Sequence, residues 1–266
     1  MRKSIYALCV LWCAQNSFNS RADHPRELVI DPNAKNRLLV VGVPGGLPGI
    51  DKDLKMVTEI GTHPAYQFIP TQLWSSQGTV SNVSQNLTRL ASETEELGTL
   101  FFYFSGHGSG GRISLRDRSM RITEIRAALE KGREALGPMS RLVLMFDSCY
   151  SGSLLDPVRK VLGPIHEQAE SEAFADAVFQ ELQSKDRDSA YWKSLFVFAS
   201  SRANETSNAG SSGSSFTVAL KKAFGEVINT QGTLNDWVSK TKLFTKGHHP
   251  VERFSPLDVA NEKLIP

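Results

Sequence analysis

The sequence predicts an α/β fold, a three-layer α/β/α sandwich with a mostly parallel central sheet. Apolar runs at 38–43, 100–104, 142–146 and 195–199 alternate with segments whose apolar residues recur at helical spacing. Short apolar runs bounded by turn residues are typical of strands buried on both faces, as in a parallel sheet. Strands that alternate with helices along a chain predict helices on both faces of such a sheet, joined by right-handed crossovers.

The first strand, 38–43, is followed by a Pro-Gly-Gly turn and by a helix predicted over 51–60. A weaker strand over 66–73 is interrupted by Pro70, which favours an edge position in the sheet. In sequence, a small hairpin is predicted over 112–122, after the strand that ends at 104 and before the strand that begins near 141.

Helices are predicted over 82–97, with Ser81 as the cap, and over 122–136. A further helix is predicted over 169–184 and a last one over 216–228. The tail beyond it is expected to pack against the domain.

Composition is ordinary for a globular enzyme. The chain has 266 residues, 40% of them hydrophobic, and a net charge of +2 from 30 basic and 28 acidic residues. No basic stripe interleaved with aromatic residues occurs, so no nucleic acid partner is expected.

The N-terminus has the pattern of a secretory signal peptide, because a basic start precedes an apolar run that ends near Ala14. This run is shorter than the roughly 20 residues that cross a bilayer, so no membrane span is expected. Cleavage after Ala14 or Ala22 would leave Cys149 as the only cysteine. The alternative is an N-terminal strand or a disordered tail. A functioning signal predicts a secreted or periplasmic protein, and its absence a cytoplasmic one.

Two reactive residues follow central strands of the predicted sheet. His107 lies between two glycines after 99–104, and Cys149 lies in a polar stretch after 141–146. Parallel sheets carry their chemistry at the carboxyl edge, where a thiol nucleophile and its base can become neighbours. The alternative interpretation is a buried cysteine that acts as a small apolar residue and a histidine that is only a polar loop residue.

The blocks Tyr-Phe-Ser-Gly-His-Gly at 103–108 and Asp-Ser-Cys-Tyr-Ser-Gly-Ser at 147–153 resemble the signature blocks of the caspase-like cysteine peptidases. Within this clan they are most similar to the metacaspases and more distantly similar to the legumains. The resemblance spans about 37–228 and implies a caspase-like fold. It implies a cysteine endopeptidase with a His107/Cys149 dyad, no third orienting residue, and an oxyanion hole formed by the backbone N–H groups of Gly108 and Cys149.

The same resemblance implies an acidic pocket for the substrate side chain. Asp147 matches the acid at the floor of the metacaspase pocket. Asp53 matches a second acid, which ends a Gly-Cys-x-Asn-Asp block in that family, although Ile50 and Lys52 replace the Cys and the Asn here. Two carboxylates predict cleavage after Arg or Lys. The alternatives are that Asp53 only complements the helix dipole and that Asp147 only bonds its own turn.

No metal ion and no cofactor are expected. Some metacaspases use calcium, and Asp156 matches one acid of that cluster, but the acids expected before the helix over 122–136 are reduced to Glu124. A calcium ion takes six to eight oxygen ligands, more than one or two carboxylates supply. The expected partner is a polypeptide substrate, and the expected oligomeric state is a monomer.

The resulting layout is a leader at 1–22, a linker at 23–36, a catalytic domain at 37–228 and a C-terminal extension at 229–266. Two other functions remain open on the sequence. One is a catalytically idle caspase-like scaffold, and the other is a transpeptidase or amidase that uses the same dyad.

Overall fold

A computed structural model describes most of the chain from residue 34 onward. The described residues are 34–109, 112–150, 178–179, 181–182, 191–200, 209–245, 249–255, 260–262 and 264. Within these ranges, the side chains of 109, 149, 150, 209 and 255 are not described. The predicted leader at 1–22, Asp156 and most of the helix predicted over 169–184 lie outside the described residues.

One sheet organises the described part of the chain. Its strands are β1 (Arg37–Val43), β2 (Ile69–Trp74), β3 (Thr99–Ser109), β4 (Arg112–Ser114), β5 (Ser119–Arg121), β6 (Met139–Tyr150), β7 (Trp192–Ala199) and β10 (Val251–Ser255). Strands β8 (Ala209–Gly210) and β9 (Gly213–Ser214) form a separate short hairpin. The order in the main sheet is β10-β7-β6-β3-β1-β2, with β4 paired to β3 and β5 paired to β4. The path from β7 to β2 is parallel and β10 is antiparallel, which confirms the predicted mostly parallel sheet.

Helices cover both faces of this sheet. They are α1 (Ile50–Gly61), α2 (Val80–Glu93), α3 (Ile122–Arg133), α4 (Ser215–Asn229) and α5 (Leu234–Phe244). The first face carries α2 and α3, and the second carries α1, α4 and α5. No helix among the described residues is long and apolar enough to cross a membrane.

The central strands are buried on both sides. On β3, Phe102 and Phe104 pack on the α2/α3 face, whereas Phe101 and Tyr103 pack on the face of α1, α4 and α5. Each of the four is at most 4% exposed, which explains why this strand is a continuous apolar run. The predicted three-layer sandwich is therefore confirmed.

Several predicted boundaries shift by a few residues. The cap of α2 is Thr79, whose side chain accepts the N–H of Asn82 at 3.3 Å, so the prediction of Ser81 was wrong. The helix ends at Glu93, not at 97, because Thr94 turns to an extended conformation with ψ of 126°. The helix therefore ends just before Thr94, although the helical spacing of apolar residues in the sequence continues to Leu97.

The edge position predicted for Pro70 is confirmed, since among the described strands β2 is the last on its side of the sheet. The strand begins at Ile69, however, and not at 66. Hydrogen bonds from the N–H groups of Tyr66 and Gln67 to the carbonyl of His63 form a turn there instead.

The tail contributes one helix and one strand that the sequence did not predict. The Trp237 side chain in α5 donates its Nε1–H to the carbonyl of Leu220 in α4 at 2.9 Å. Strand β10 pairs with β7, and the ring of Phe254 stacks on that of Phe196 with centroids 4.8 Å apart. This part of the chain therefore extends both the sheet and the helical layer.

We expect Arg133→Met to lower the free energy of unfolding by about 3 kcal/mol. Arg133 is 2% exposed and donates to the carbonyls of Ala91 at 3.0 Å, Thr94 at 2.6 Å and Gly137. Methionine fills a similar volume but leaves these buried acceptors without their donor. Urea unfolding measures the change, and Lys131→Met, at an exposed position of the same helix, is the matched control. Equal stability of the two variants would contradict this role.

Candidate active site

Strands β3 and β6 bring His107 and Cys149 together. They pair in parallel over ten residue pairs, and the register places His107 opposite Cys149 and Gly108 opposite Tyr150. Neighbouring strands lie about 4.8 Å apart, so the two backbones are adjacent at the carboxyl edge of the sheet. The sequence analysis placed both residues after the ends of these strands, and this was wrong, because the two strands pair with each other beyond their apolar runs.

A backbone carbonyl orients the His107 ring. Nε2 of His107 lies 3.3 Å from the carbonyl oxygen of Gly45. A carbonyl only accepts hydrogen bonds, so in this contact Nε2 is the donor and Nδ1 of the neutral ring remains the basic nitrogen. Gly45 is left-handed, with φ of 53°, and a Cβ there would lie 2.9 Å from Cδ2 of His107. Glycine therefore permits the close approach.

The sequence analysis did not identify Gly45 as an orienting group. A signal was present, because the Pro-Gly-Gly turn follows the first strand at the same edge of the sheet as His107. A backbone carbonyl carries no side-chain signature, so only the fold shows which turn reaches the ring.

Gly108 lies between two pairing partners, Tyr150 of β6 and Ile113 of β4. A Cβ at this position would lie 2.8 Å from Oγ of Ser148. The position therefore has no room for a side chain unless Ser148 moves. The assignment of the Gly108 and Cys149 N–H groups to an oxyanion hole stays a prediction.

Asp53 and Asp147 meet beneath this edge, and Ser214 joins them. The backbone N–H of Ser214 donates to Oδ1 of Asp53 at 2.7 Å, and its hydroxyl donates to Oδ2 of Asp147. The hydroxyl of Ser105 donates to the other oxygen of Asp53 at 3.0 Å. Both acids are buried, with exposures of 0% and 3%. Asp53 lies in the first turn of α1, as the dipole interpretation requires, but its carboxylate also reaches across to α4 and β3.

Thr217 and Tyr103 complete the network around Asp147. The Thr217 hydroxyl donates to Oδ2 of Asp147 at 2.7 Å, and the Tyr103 hydroxyl lies 3.2 Å from the same oxygen. Ser214 also caps α4, because its oxygen accepts the N–H of Thr217 at 3.0 Å. The sequence analysis missed these residues. A Ser-Ser-Phe-Thr start of the last helix is a common cap pattern and does not indicate that it binds acids.

Burial raises the pKa values of both carboxyl groups. The pKa of Asp53 rises to about 8, first because the group is removed from water and second because Asp147 lies nearby. Burial also raises the pKa of Asp147, while hydrogen bonds from Ser214, Thr217 and Tyr103 oppose that rise. At neutral pH the pair therefore carries less than its full negative charge, and a cation placed between them would restore it.

One oxygen of this pair has no hydrogen-bond partner among the described residues. Oδ1 of Asp147 has no hydrogen-bond partner within the described ranges, and neither has the buried hydroxyl of Ser200. The Ser200 hydroxyl is close enough to help lower the pKa of Asp147, but this hydroxyl and Oδ1 of Asp147 form no hydrogen bond of normal geometry. An unsatisfied buried carboxylate oxygen costs stability.

Glu124, the acid that remains of the expected calcium cluster, is engaged elsewhere. Its carboxylate accepts from Arg118 at 2.6 Å and from the backbone N–H of Arg121 at 2.9 Å at the start of α3. In the part of the chain that the structure describes, no group of three or more His, Cys, Asp or Glu residues could hold a metal ion.

Comparison with known proteins identifies relatives of this arrangement. The family model described as the caspase domain matches residues 37–252. The GSU0716 protein of Geobacter sulfurreducens is similar, with a TM-score of 0.62 and 17% identity over 86% of this chain and 98% of its own. Caspase-1 from Spodoptera frugiperda has a TM-score of 0.52 and 13% identity over 84% of this chain and 88% of its own. No curated protein matches the chain. The two structural likenesses show the fold alone.

We expect Asp53→Asn to flatten the pH dependence of stability. The pKa of Asp53 is about 8 in the folded state and near the ordinary 3.8 when unfolded, so the folded state keeps a proton that the unfolded state loses. The resulting stabilisation is complete below pH 4 and is lost as the pH rises through about 8. Asp53 alone contributes a slope of at most about 1.4 kcal/mol per pH unit.

Urea unfolding of both proteins between pH 5 and pH 9 measures this slope. The amide of the Asp53→Asn variant imitates the protonated acid, so the variant should lose less stability toward high pH than the wild type does. Asp51→Asn, at an exposed position of the same helical turn, should keep the wild-type slope. Parallel curves for Asp53→Asn and wild type would contradict the raised pKa.

Proposed function

We propose a cysteine endopeptidase activity, starting from the premise that this chain belongs to the caspase-domain family. The observation that carries the proposal is the register between β3 and β6, which sets His107 opposite Cys149 at the carboxyl edge of the sheet. In this proposal His107 is the base and Cys149 the nucleophile. The preferred residue before the cleaved bond is Arg or Lys.

Proton transfer from Cys149 to His107 would start the reaction. An ordinary cysteine has a pKa of about 8.5, so a neighbouring base is needed to generate thiolate at neutral pH. The contact between Nε2 of His107 and the Gly45 carbonyl supports Nδ1 as the nitrogen that accepts this proton. The thiolate attacks the carbonyl carbon of the peptide bond, and the imidazolium then gives the proton to the leaving amine.

Water completes the cycle by hydrolysing the thioester, with the same imidazole as the base. Both tetrahedral intermediates carry an oxyanion that needs hydrogen-bond donors. The proposed donors are the backbone N–H groups of Gly108 and Cys149, which lie at the ends of adjacent strands. Removing one such donor typically raises the barrier by about 3 kcal/mol.

The buried acid pair supports the preference for a basic side chain. Asp147 is paired in register with Ser105, two positions before the His107–Cys149 pair, so the acids lie just below the proposed nucleophile. In this proposal Oδ1 of Asp147, which has no partner among the described residues, accepts a hydrogen bond from the guanidinium or ammonium group. An acidic substrate side chain would instead meet two carboxyl groups in a site with little water. This charge pattern therefore favours Arg and Lys.

We expect Cys149→Ala and His107→Ala each to lower kcat/KM by about 1000-fold or more while leaving the fold intact, because each removes one member of the proposed dyad. The test uses a peptide substrate and an arginyl peptide probe that alkylates thiols. Wild type should be labelled once, at Cys149, and the alanine variant not at all. Circular dichroism checks folding. A wild-type protein that is neither labelled nor active would favour an idle scaffold, and joined peptide products would favour a transpeptidase.

We expect the ratio of kcat/KM for an Arg substrate to that for its uncharged citrulline analogue to report the acid pair. Asp147→Asn should lower this ratio by about 100-fold or more, since breaking a buried charge pair costs about 3 to 5 kcal/mol. Asp53→Asn should lower it less below pH 8, because Asp53 is protonated there in the free enzyme.

Dividing one kcat/KM by the other cancels the pH dependence of thiolate formation, which both substrates share. Asp51→Asn is again the matched control and should keep the wild-type ratio. A preference of the wild type for Asp or Asn substrates would exclude this pocket. An unchanged ratio in both Asp53→Asn and Asp147→Asn would show that other residues select the side chain.

A further inference from the structure

A second cavity lies at the opposite edge of the sheet from His107, where the strands begin. The cavity is small: about 60 Å³ of it can take the centre of a water molecule, which is room for roughly four to six waters or for one short ligand chain. Its walls are apolar and come from α1, the sheet and α5, with Ile60, Phe101, Val143 and Trp237 among them. It lies on the sheet face that carries α1, α4 and α5.

Arg141 is the one charged residue among the described residues that line this cavity. Its side chain is 10% exposed, and its Nε has no hydrogen-bond partner in the described part of the chain. Burial lowers the pKa of Arg141 to about 10, so the guanidinium is still charged at neutral pH. The Nε atoms of Arg37 and Arg133 also lack a partner in that part of the chain, so the feature that distinguishes Arg141 is its position on an apolar cavity.

The C-terminal segment supplies a carboxylate to this arginine. Glu262 forms an ion pair with Nη2 of Arg141, and its side chain is 22% exposed. The segment is tied to the start of α5 by two backbone hydrogen bonds, from Leu234 to Glu262 and from Leu264 to Gly232, each 2.9 Å long. Leu264 lines the cavity beside them. A carboxylate next to an apolar group thus already lies against Arg141.

We propose that this cavity binds a small carboxylic acid with an apolar chain, whose carboxylate pairs with Arg141. The charge of the guanidinium selects an anion, its planar fork of donors matches a carboxylate, and the apolar walls accept the chain. Glu262 and Leu264 offer the same combination from within the protein. Whether the ligand replaces the Glu262 carboxylate or binds beside it, the negative charge of Glu262 opposes its binding.

The cavity is separate from the candidate active site. Arg141 and Asp147 lie on the same face of β6, six residues apart, which corresponds to about 20 Å along a strand. The proposal therefore does not depend on peptidase activity and can be tested on an inactive protein.

Titration calorimetry with octanoate, below its micelle concentration, tests the proposal. Wild type should bind octanoate at least tenfold more tightly than octan-1-ol, which has the same chain length and no charge. Arg141→Met should weaken octanoate binding at least tenfold, and Glu262→Gln should strengthen it about threefold or more. Arg37→Met is the matched control, because it removes a largely buried, ion-paired arginine at the same edge of the sheet, and it should leave the affinity unchanged.

Four results would overturn the proposal: no octanoate binding to wild type, equal binding of octanoate and octanol, unchanged affinity in a folded Arg141→Met, or weaker binding to Glu262→Gln. If Arg141→Met does not fold, the octanol comparison and Glu262→Gln decide. Neither of these removes the arginine.

Discussion

The parallel pairing of β3 with β6 is the constraint on which the rest of the site depends. One register sets both the His107–Cys149 pair and the Ser105–Asp147 pair, so the proposed nucleophile and the acid pair cannot be placed independently. A slip by one residue would turn every side chain of one strand to the other face. The aromatic residues buried on both faces of β3 make such a slip costly, so the core packing protects the geometry of the site.

The start of α4 supplies hydrogen-bond donors to the two buried carboxyl groups, whose charged forms burial disfavours. Removing a charge from water costs several kcal/mol, and two like charges repel each other as well. Ser214 donates to both acids, and Thr217 adds a further donor to Asp147. These hydrogen bonds compensate for burial only in part. Burial still raises both pKa values, and Oδ1 of Asp147 has no partner among the described residues. These properties support the proposed preference for a basic substrate side chain.

The same layer of the protein carries buried acidic groups at one end and a buried arginine at the other. Asp53 and Asp147 lie where the strands end, and Arg141 lies where they begin. Trp237 lines the cavity at the arginine end and donates to Leu220 of α4, the helix whose first turn holds the acids. At each end, at least one side-chain polar atom of the acids or of the arginine has no hydrogen-bond partner among the described residues.

The sequence by itself determined the layers, the central strands and the residues of the proposed chemistry, because buried strands and polar strand ends leave a local pattern. It did not determine the extensions of β3 and β6 through His107 and Cys149, since pairing between distant segments leaves no such pattern. The Gly45 carbonyl, Ser214, Thr217 and the Arg141 cavity were also decided only by the tertiary structure. A backbone carbonyl, a common helix cap and a lone arginine acquire their partners only when segments far apart in the chain pack together.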